Sequence, residues 1–474
     1  MTEHFEQLWA MVKPAFRDRR TWERARRLAL STLACLGRHT VTGMLASCGQ
    51  QFADWSAAYR LFAEDRINME QLWSPVTLTA ARLLPKGFPF VAMLDDTLAT
   101  KRGRKIPGTS WRRDPLGPPF ATNFVWAQRF LQVACAIPES GFGSAARAIP
   151  LEMSHCPTPK RPNKWATTSD WSNYRRQQRE MSISAVACER IASLRHRLDA
   201  QDADRRLLLA VDGAYTNNTV FRNIPERTVI IGRIRKDAKL YEMPPPNGTA
   251  AGRGRRRVYG SQLPTPEQIR QDETIPWQQV EAYAAGKTHN FDVKVIGPVR
   301  WRGAGERDLR LIVIRHLGYR PSKSSHKLYR NPAYIVCTDH SLDIAQILQV
   351  YLWRWEVEVA FRDQKTLIGL GEAQVRNENS AVKLPAFISA AYAYMQLAAI
   401  LAGLKSNAVT LPKWRKPKAD GRCSTANIIS LLRAELWGKA LGVNINDFAA
   451  TNQYAHKAKQ IITEAAAAVI YAHR

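Results

Sequence analysis

Asp95 and Asp96 close the apolar run FPFVAMLDD, Asp212 closes RRLLLAVDG, and Glu356 and Glu358 lie in YLWRWEVEVAFRDQK, residues 351–365. Carboxylates at strand ends converge on one edge of a sheet, and a glutamate on a helix packed beside that edge can join them. Hard divalent cations such as Mg2+ prefer such oxygen ligands. Two ions flanking a phosphate would activate the attacking oxygen and stabilise the leaving oxygen, which is the chemistry of phosphodiester cleavage. Only one of Asp95 and Asp96 should reach the site, because successive strand residues face opposite ways.

Helix geometry separates the two glutamates. At about 100° per residue, with Tyr351 at zero, Arg354, Glu358 and Lys365 fall at about −60°, −20° and −40°, one narrow polar strip. Leu348, Leu352, Trp355 and Val359 fall between about +40° and +100°, an adjacent apolar strip for the sheet, and Glu356 at about +140° points elsewhere. Glu358 is therefore the metal-facing candidate. A plain i, i+4 ion pair between Arg354 and Glu358 is the competing explanation.

The elements that must position these residues can be read coarsely. Residues 1–84 are helix-like, and TVTGMLASCG followed by DWSAAYRLFAE could form a helix-turn-helix. Short strands begin near residue 85. RRLLLAVDG reads as a strand buried on both faces, and residues 227–332 alternate with many turn residues, as a β-rich insertion would. AYIVCTD is a further buried strand, and its Asp339 or Ser341 is expected to cap the next helix. The expected division is 1–84 helical and DNA-binding, 85–226 and 333–404 the two parts of an α/β catalytic core, 227–332 the insertion, and 405–474 helical.

Composition narrows the partners. Lys and Arg number 69 against 41 Asp and Glu, leaving +28 at neutral pH, so a polyanion is expected, nucleic acid ahead of a membrane surface. The seven cysteines are scattered without a CxxC pair or zinc-ligand spacing, which argues against a zinc finger or a disulfide framework and fits a reducing compartment. No secretory signal opens the chain, so a cytoplasmic, nucleoid-associated location is expected. Residues 386–404, AFISAAYAYMQLAAILAGL, approach a membrane span in length, but their alanines and interspersed polar groups suit a buried helix better.

Tyr351, Arg354, Glu358 and Lys365 together match the spacing Y-x2-R-x3-E-x6-K, and with two strand-end aspartates upstream the chain resembles a DDE transposase of bacterial insertion sequences over roughly residues 90–400. The resemblance implies a ribonuclease H-like core interrupted by a mostly β insertion, with Asp96, Asp212 and Glu358 as catalytic metal ligands. In that family the first acid commonly precedes a threonine, as Asp96 precedes Thr97; Asp95 is the alternative. It further implies Mg2+, with Mn2+ able to substitute, and DNA contacts by Tyr351, Arg354 and Lys365.

Trp355 would stack on a base swung out of the duplex, with simple packing as its alternative, while Trp353 projects away from both roles. Lys101, Arg102, Arg104 and Lys105, close behind the first acid, would neutralise phosphates; Arg253, Arg255, Arg256 and Arg257 are left unassigned. The activity implied is binding of terminal inverted repeats, hydrolytic cleavage, and transfer of the freed 3′ hydroxyl into target DNA, by a homodimer when DNA-bound. A nuclease without strand transfer and a catalytically silent DNA-binding protein are the alternatives.

Overall fold

The computed structural model describes residues 1–114, 117–118, 120–245, 257–319, 326, 328–329, 331–405 and 422–438. Arg253, Arg255, Arg256 and most of region 405–474 lie outside the described residues.

Five helices open the chain: α1 (Thr2–Ala10), α2 (Arg19–Ala34), α3 (Val41–Ser47), α4 (Ser56–Ala63) and α5 (Met69–Leu83). Side-chain oxygens of Asp18, Thr40 and Asn68 accept the first free N–H groups of α2, α3 and α5, which is what starts those helices where they start. The linker from α3 to α4 runs from Cys48 to Trp55, longer than the ~3–4-residue turn of a helix-turn-helix. These helices pack around the long helix near the C-terminal end of the described chain rather than standing apart.

The sheet begins with β1 (Phe90–Thr100), β2 (Ser110–Arg113), β3 (Phe124–Pro138) and β4 (Ala146–His155). After α6 (Thr168–Glu180) and α7 (Ile183–Asp199) come β5 (Leu207–Val211), the short α8 (Asn218–Arg222) and β6 (Thr228–Arg233). Strand β3 pairs antiparallel with both β1 and β4, whereas β1, β5 and β6 run parallel. All five residues of β5 are buried, as expected of a strand covered on both faces. The order β4-β3-β1-β5-β6 is the ribonuclease H-like core.

Beyond β6 the same sheet continues. After β7 (Leu240–Tyr241), α9 (Pro266–Gln271), β8 (Gln278–Ala284), β9 (Lys287–Trp301) and β10 (Leu309–Ile314) come the two-stranded ribbon β11 (Gly318–Tyr319) and β12 (Leu328–Tyr329), then β13 (Ala333–Cys337). Strand β13 pairs with β6 and β10, and β10 with β9. The expected boundary at 226/227 thus falls between two strands that pair in parallel, β5 and β6.

The chain then forms α10 (Ile344–Trp353), α11 (Trp355–Leu367), α12 (Glu378–Leu401) and α13 (Thr425–Arg433). Helix α12 is long and apolar enough to cross a membrane, but 89% of its most apolar window is buried inside the protein. It packs on β4 on one side and on α1, α2, α4 and α5 on the others. Trp9 meets the rings of Phe387 and Tyr394 edge-on, and the Tyr394 hydroxyl donates to the Leu72 carbonyl (2.7 Å). The alanines of α12 permit this close approach on every side, so it is a core helix.

Candidate active site

Register decides which acids meet. In the parallel pair β1–β5, Leu94 lies opposite Val211, so the next residues, Asp95 and Asp212, are level on adjacent strands and share a face. The turn after Asp212 is held by its own carbonyl, which accepts the N–H groups of Tyr215 (3.0 Å) and Thr216 (3.1 Å). Gly232 on β6 makes room for that turn: a Cβ there would run into Thr216 Oγ1 and lie 3.1 Å from Val211.

Asp95 faces the helices. Arg354 donates from one nitrogen to Asp95 Oδ2 (3.2 Å) and from the other to Glu358 Oε1 (3.1 Å), bridging β1 to α11. Burial raises the Asp95 carboxyl to about 7; Arg354 and the Asp96 N–H oppose the rise, and the charges of Asp96 and Glu358 add to it. Glu358 is also raised, by burial and by Asp212, against the pull of Arg354. Burial disfavours the Arg354 charge, but Asp95, Asp212, Tyr351 and Glu358 more than restore it. Tyr351 is raised by burial within the fields of Arg233, Arg354, Asp212 and Glu358. Tyr351, Arg354 and Glu358 are therefore gathered around Asp95 and Asp212.

Asp96 does not join them. Its side chain lies on the opposite face, where Arg129 binds it through two nitrogens (2.7 and 3.1 Å) and the Tyr215 hydroxyl donates to it (2.7 Å). The placement of Asp96 in the cluster is corrected to Asp95, the physical reason being strand alternation referred to β5. A signal was present in the sequence: set end to end, the apolar runs before Asp95 and Asp212 are level.

The helix is also not continuous. It breaks at Arg354, where the bonds tighten to i, i+3, from Arg354 N to Tyr351 O (3.3 Å) and from Val357 N to Arg354 O (3.2 Å). Its buried strip runs through Trp353, Val357, Ala360 and Phe361, on the flank of the polar strip opposite to the expected one, of which only Leu348 is buried. Trp353 is 2% exposed, stacked on Phe142 (5.5 Å) and donating to Ser144 O (2.9 Å), whereas Trp355 is 58% exposed. The packing role considered for Trp355 belongs to Trp353. Glu356 pairs with Arg422 (2.7 Å), away from the acids.

The basic residues divide. Lys365, its charge disfavoured by burial, lines a cleft of about 690 Å3 with Arg38, Lys101 and Arg102. Lys101 is not a surface cation: it is buried, donates to the carbonyls of Gly371 and Ala373 (2.7 Å each), and burial lowers its ammonium to about 8. Arg102 and Lys105 are exposed, and the Arg104 guanidinium lies over Trp111 (4.8 Å) and Trp126 (5.0 Å). Asp339 pairs with Arg206 and accepts Ser341 N (2.7 Å), but the cap of α10 is Asp343, not Asp339 or Ser341.

A second cleft, about 980 Å3, opens beside Asp212 and is lined by Arg233, Arg235, Lys236 and Arg270. Sequence reading missed it because its cations come from β6, the loop after it and α9, which only the fold brings together.

A family model described as DDE superfamily endonuclease matches residues 12–303. The chain belongs to that family. No curated protein matches it. The matched span of this DDE superfamily endonuclease includes Asp95, Asp96 and Asp212 and ends before the helix carrying Glu358. Endonucleases of this kind act on DNA, generally with divalent metals such as Mg2+. The carboxylates here fit such an ion in donor chemistry: they are hard oxygens, Asp95 and Glu358 are desolvated, and the charge of Glu358 raises the proton affinity of Asp95 while that of Asp212 raises the proton affinity of Glu358. Among the described residues no three His, Cys, Asp or Glu side chains are grouped closely enough to hold an ion as they stand, and Arg354 fills the gap between Asp95 and Glu358.

Proposed function

We propose that the protein is an insertion-sequence DNA transposase that cuts at terminal inverted repeats and joins the freed 3′ hydroxyl to target DNA, with Asp95, Asp212 and Glu358 as its metal ligands. The observation that carries the reading is the register of β1 on β5, which sets Asp95 and Asp212 level on one face beneath the helix bearing Arg354 and Glu358. Mg2+, or Mn2+ in its place, held by these carboxylates would polarise the scissile phosphate and supply an activated oxygen near neutral pH.

The chain's own groups do the rest. Asp95 holds a proton up to about pH 7 that it must give up to become a ligand. Arg354 keeps two like charges within reach of one another and offers a planar fork to a phosphate. Tyr351 and Lys365 extend that grip, Arg102, Arg104 and Lys105 add to it, and exposed Trp355 is available to stack on an unpaired base. Two element ends must be held together, so the active species is a homodimer on DNA.

The test is a cleavage and joining assay with purified protein, Mg2+ and labelled DNA carrying the ends of the protein's own element. Cut and inserted products that vanish with EDTA and in Asp212→Asn are expected. Cutting without any insertion would leave a plain nuclease, and binding without cutting would leave a silent DNA-binding protein.

A further inference from the structure

Between β4 and α7 the chain reads PTPKRPNKWATTSDWSNYRRQQRE, residues 157–180. Helix α6 within it has no buried residue, although it is started by a full capping box between Thr167 and Asp170. A helix without a buried face gains little from a core, so its composition is free to serve something else. Lys160, Arg161, Lys164, Arg175, Arg176 and Arg179 are all exposed, against two acids, Asp170 and Glu180. Among the described residues none of the six cations is in an ion pair with an acid.

Aromatic rings are interleaved with these cations. Trp165 is 81% exposed with Lys164 over its ring (4.8 Å), and Arg161 lies over Trp171 (5.7 Å), which meets Tyr174 edge-on. It is the interleaving that bears on a partner, since a surface for nucleic acid uses cations for phosphates and rings for bases. A second copy of this chain is a poor occupant, since each copy carries +28.

Both roots of the segment lie at the acid-bearing edge. At one root β4 ends at His155, paired with Phe130, which pairs with Thr97, the residue after Asp96. Cys156 N donates to the carbonyl of Arg129, the residue that grips Asp96 (2.8 Å). At the other root, Ser184 accepts from Asn217 (2.9 Å), in the turn that follows Asp212. A duplex lying along that edge with its backbone at Asp95 and Asp212 would pass this segment. Helix α6, about 20 Å long, could face on the order of ten phosphates of such a duplex.

We propose that residues 157–180 form an arm that binds duplex DNA flanking the cleavage point, its cations on backbone phosphates and Trp165 against a base. The proposal rests on DNA being the substrate, as read above. The test measures binding of the full-length protein to a fluorescein-labelled duplex across a salt series, beside the cleavage assay, for the parent, for Lys160→Ala/Arg161→Ala/Lys164→Ala together, and for Trp165→Ala. The triple variant should unfold at the parental temperature, bind more weakly, and show a log K against log salt slope shallower by about three. Trp165→Ala should lose about tenfold in affinity with the slope unchanged.

Parental affinity and slope in the triple variant, with the parent binding and cutting DNA, would overturn the arm and leave the transposase reading standing. A triple variant altered only in its solution mass would assign the segment to self-association and overturn the arm equally. A parent that neither binds nor cuts DNA would overturn both.

Discussion

Asp95 and Asp96 are neighbours on one strand with identical side chains, yet the two faces of β1 treat them oppositely. On one face Asp95 shares a single guanidinium with Glu358, and burial leaves its carboxyl raised to about 7. On the other face Asp96 has Arg129 through two nitrogens and the Tyr215 hydroxyl as well. Under the proposed function, the carboxylate with too little compensation is the one that would take a cation. The well-compensated one ties β1 to β3 and to the turn after Asp212, so under the same proposal it would orient the edge rather than act at it.

Exchanging each aspartate separately gives the largest expected effects. Asp95→Asn, Asp212→Asn or Glu358→Gln should lower single-turnover DNA cleavage by about a thousandfold or more, and Asp96→Asn by about ten- to a hundredfold. Thiolate ligands favour Mn2+ over Mg2+. Mn2+ should therefore restore measurable cutting to Asp95→Cys and not to Asp96→Cys. The reverse pattern would exchange the two roles.

The next effect is in pH. Below about 7 a cation must displace the Asp95 proton, so Mn2+ affinity followed by calorimetry should fall about tenfold per pH unit there and level off above it. The same shift acts on stability. The folded carboxyl at about 7 lies above its ordinary 3.8, so the folded state holds a proton that the unfolded chain releases, and stability falls as pH rises through that window. Asp95→Asn removes this fall and should raise the melting temperature at about pH 8 while changing it little at about pH 4. An unchanged difference between the two pH values would place the Asp95 carboxyl in the ordinary range.

The smallest effect belongs to the other face. Tyr215→Phe deletes one hydrogen bond to a carboxylate and should cost about 1.5–3 kcal/mol in denaturant unfolding, with Mn2+ affinity within about threefold of the parent. A large loss of metal affinity with stability intact would make Asp96 a ligand after all.

Much of this site was legible from residue order. Apolar runs ending in acids marked β1 and β5, and the spacing of Tyr351, Arg354 and Glu358 marked one face of a helix. The wheel projection could say which residues share a strip, but not which flank of that strip meets the sheet. Trp353, which the projection turns away from both roles, is therefore the tryptophan that packs, with the break at Arg354 between it and exposed Trp355. Lys101 read as a surface cation because it sits among Arg102, Arg104 and Lys105, and only the approach of Gly371 and Ala373 buries it.

Local sequence by itself determined the strands, the helix with its mixed polar strip, the burial of α12 and the excess of positive charge, because each depends on composition and period within one segment. Tertiary structure alone decided that Asp95 and not Asp96 faces Arg354, and that residues from β6 and α9 surround Asp212. Those outcomes follow from how one strand is offset against another. A single-residue slip in that offset would reverse every side chain on the strand.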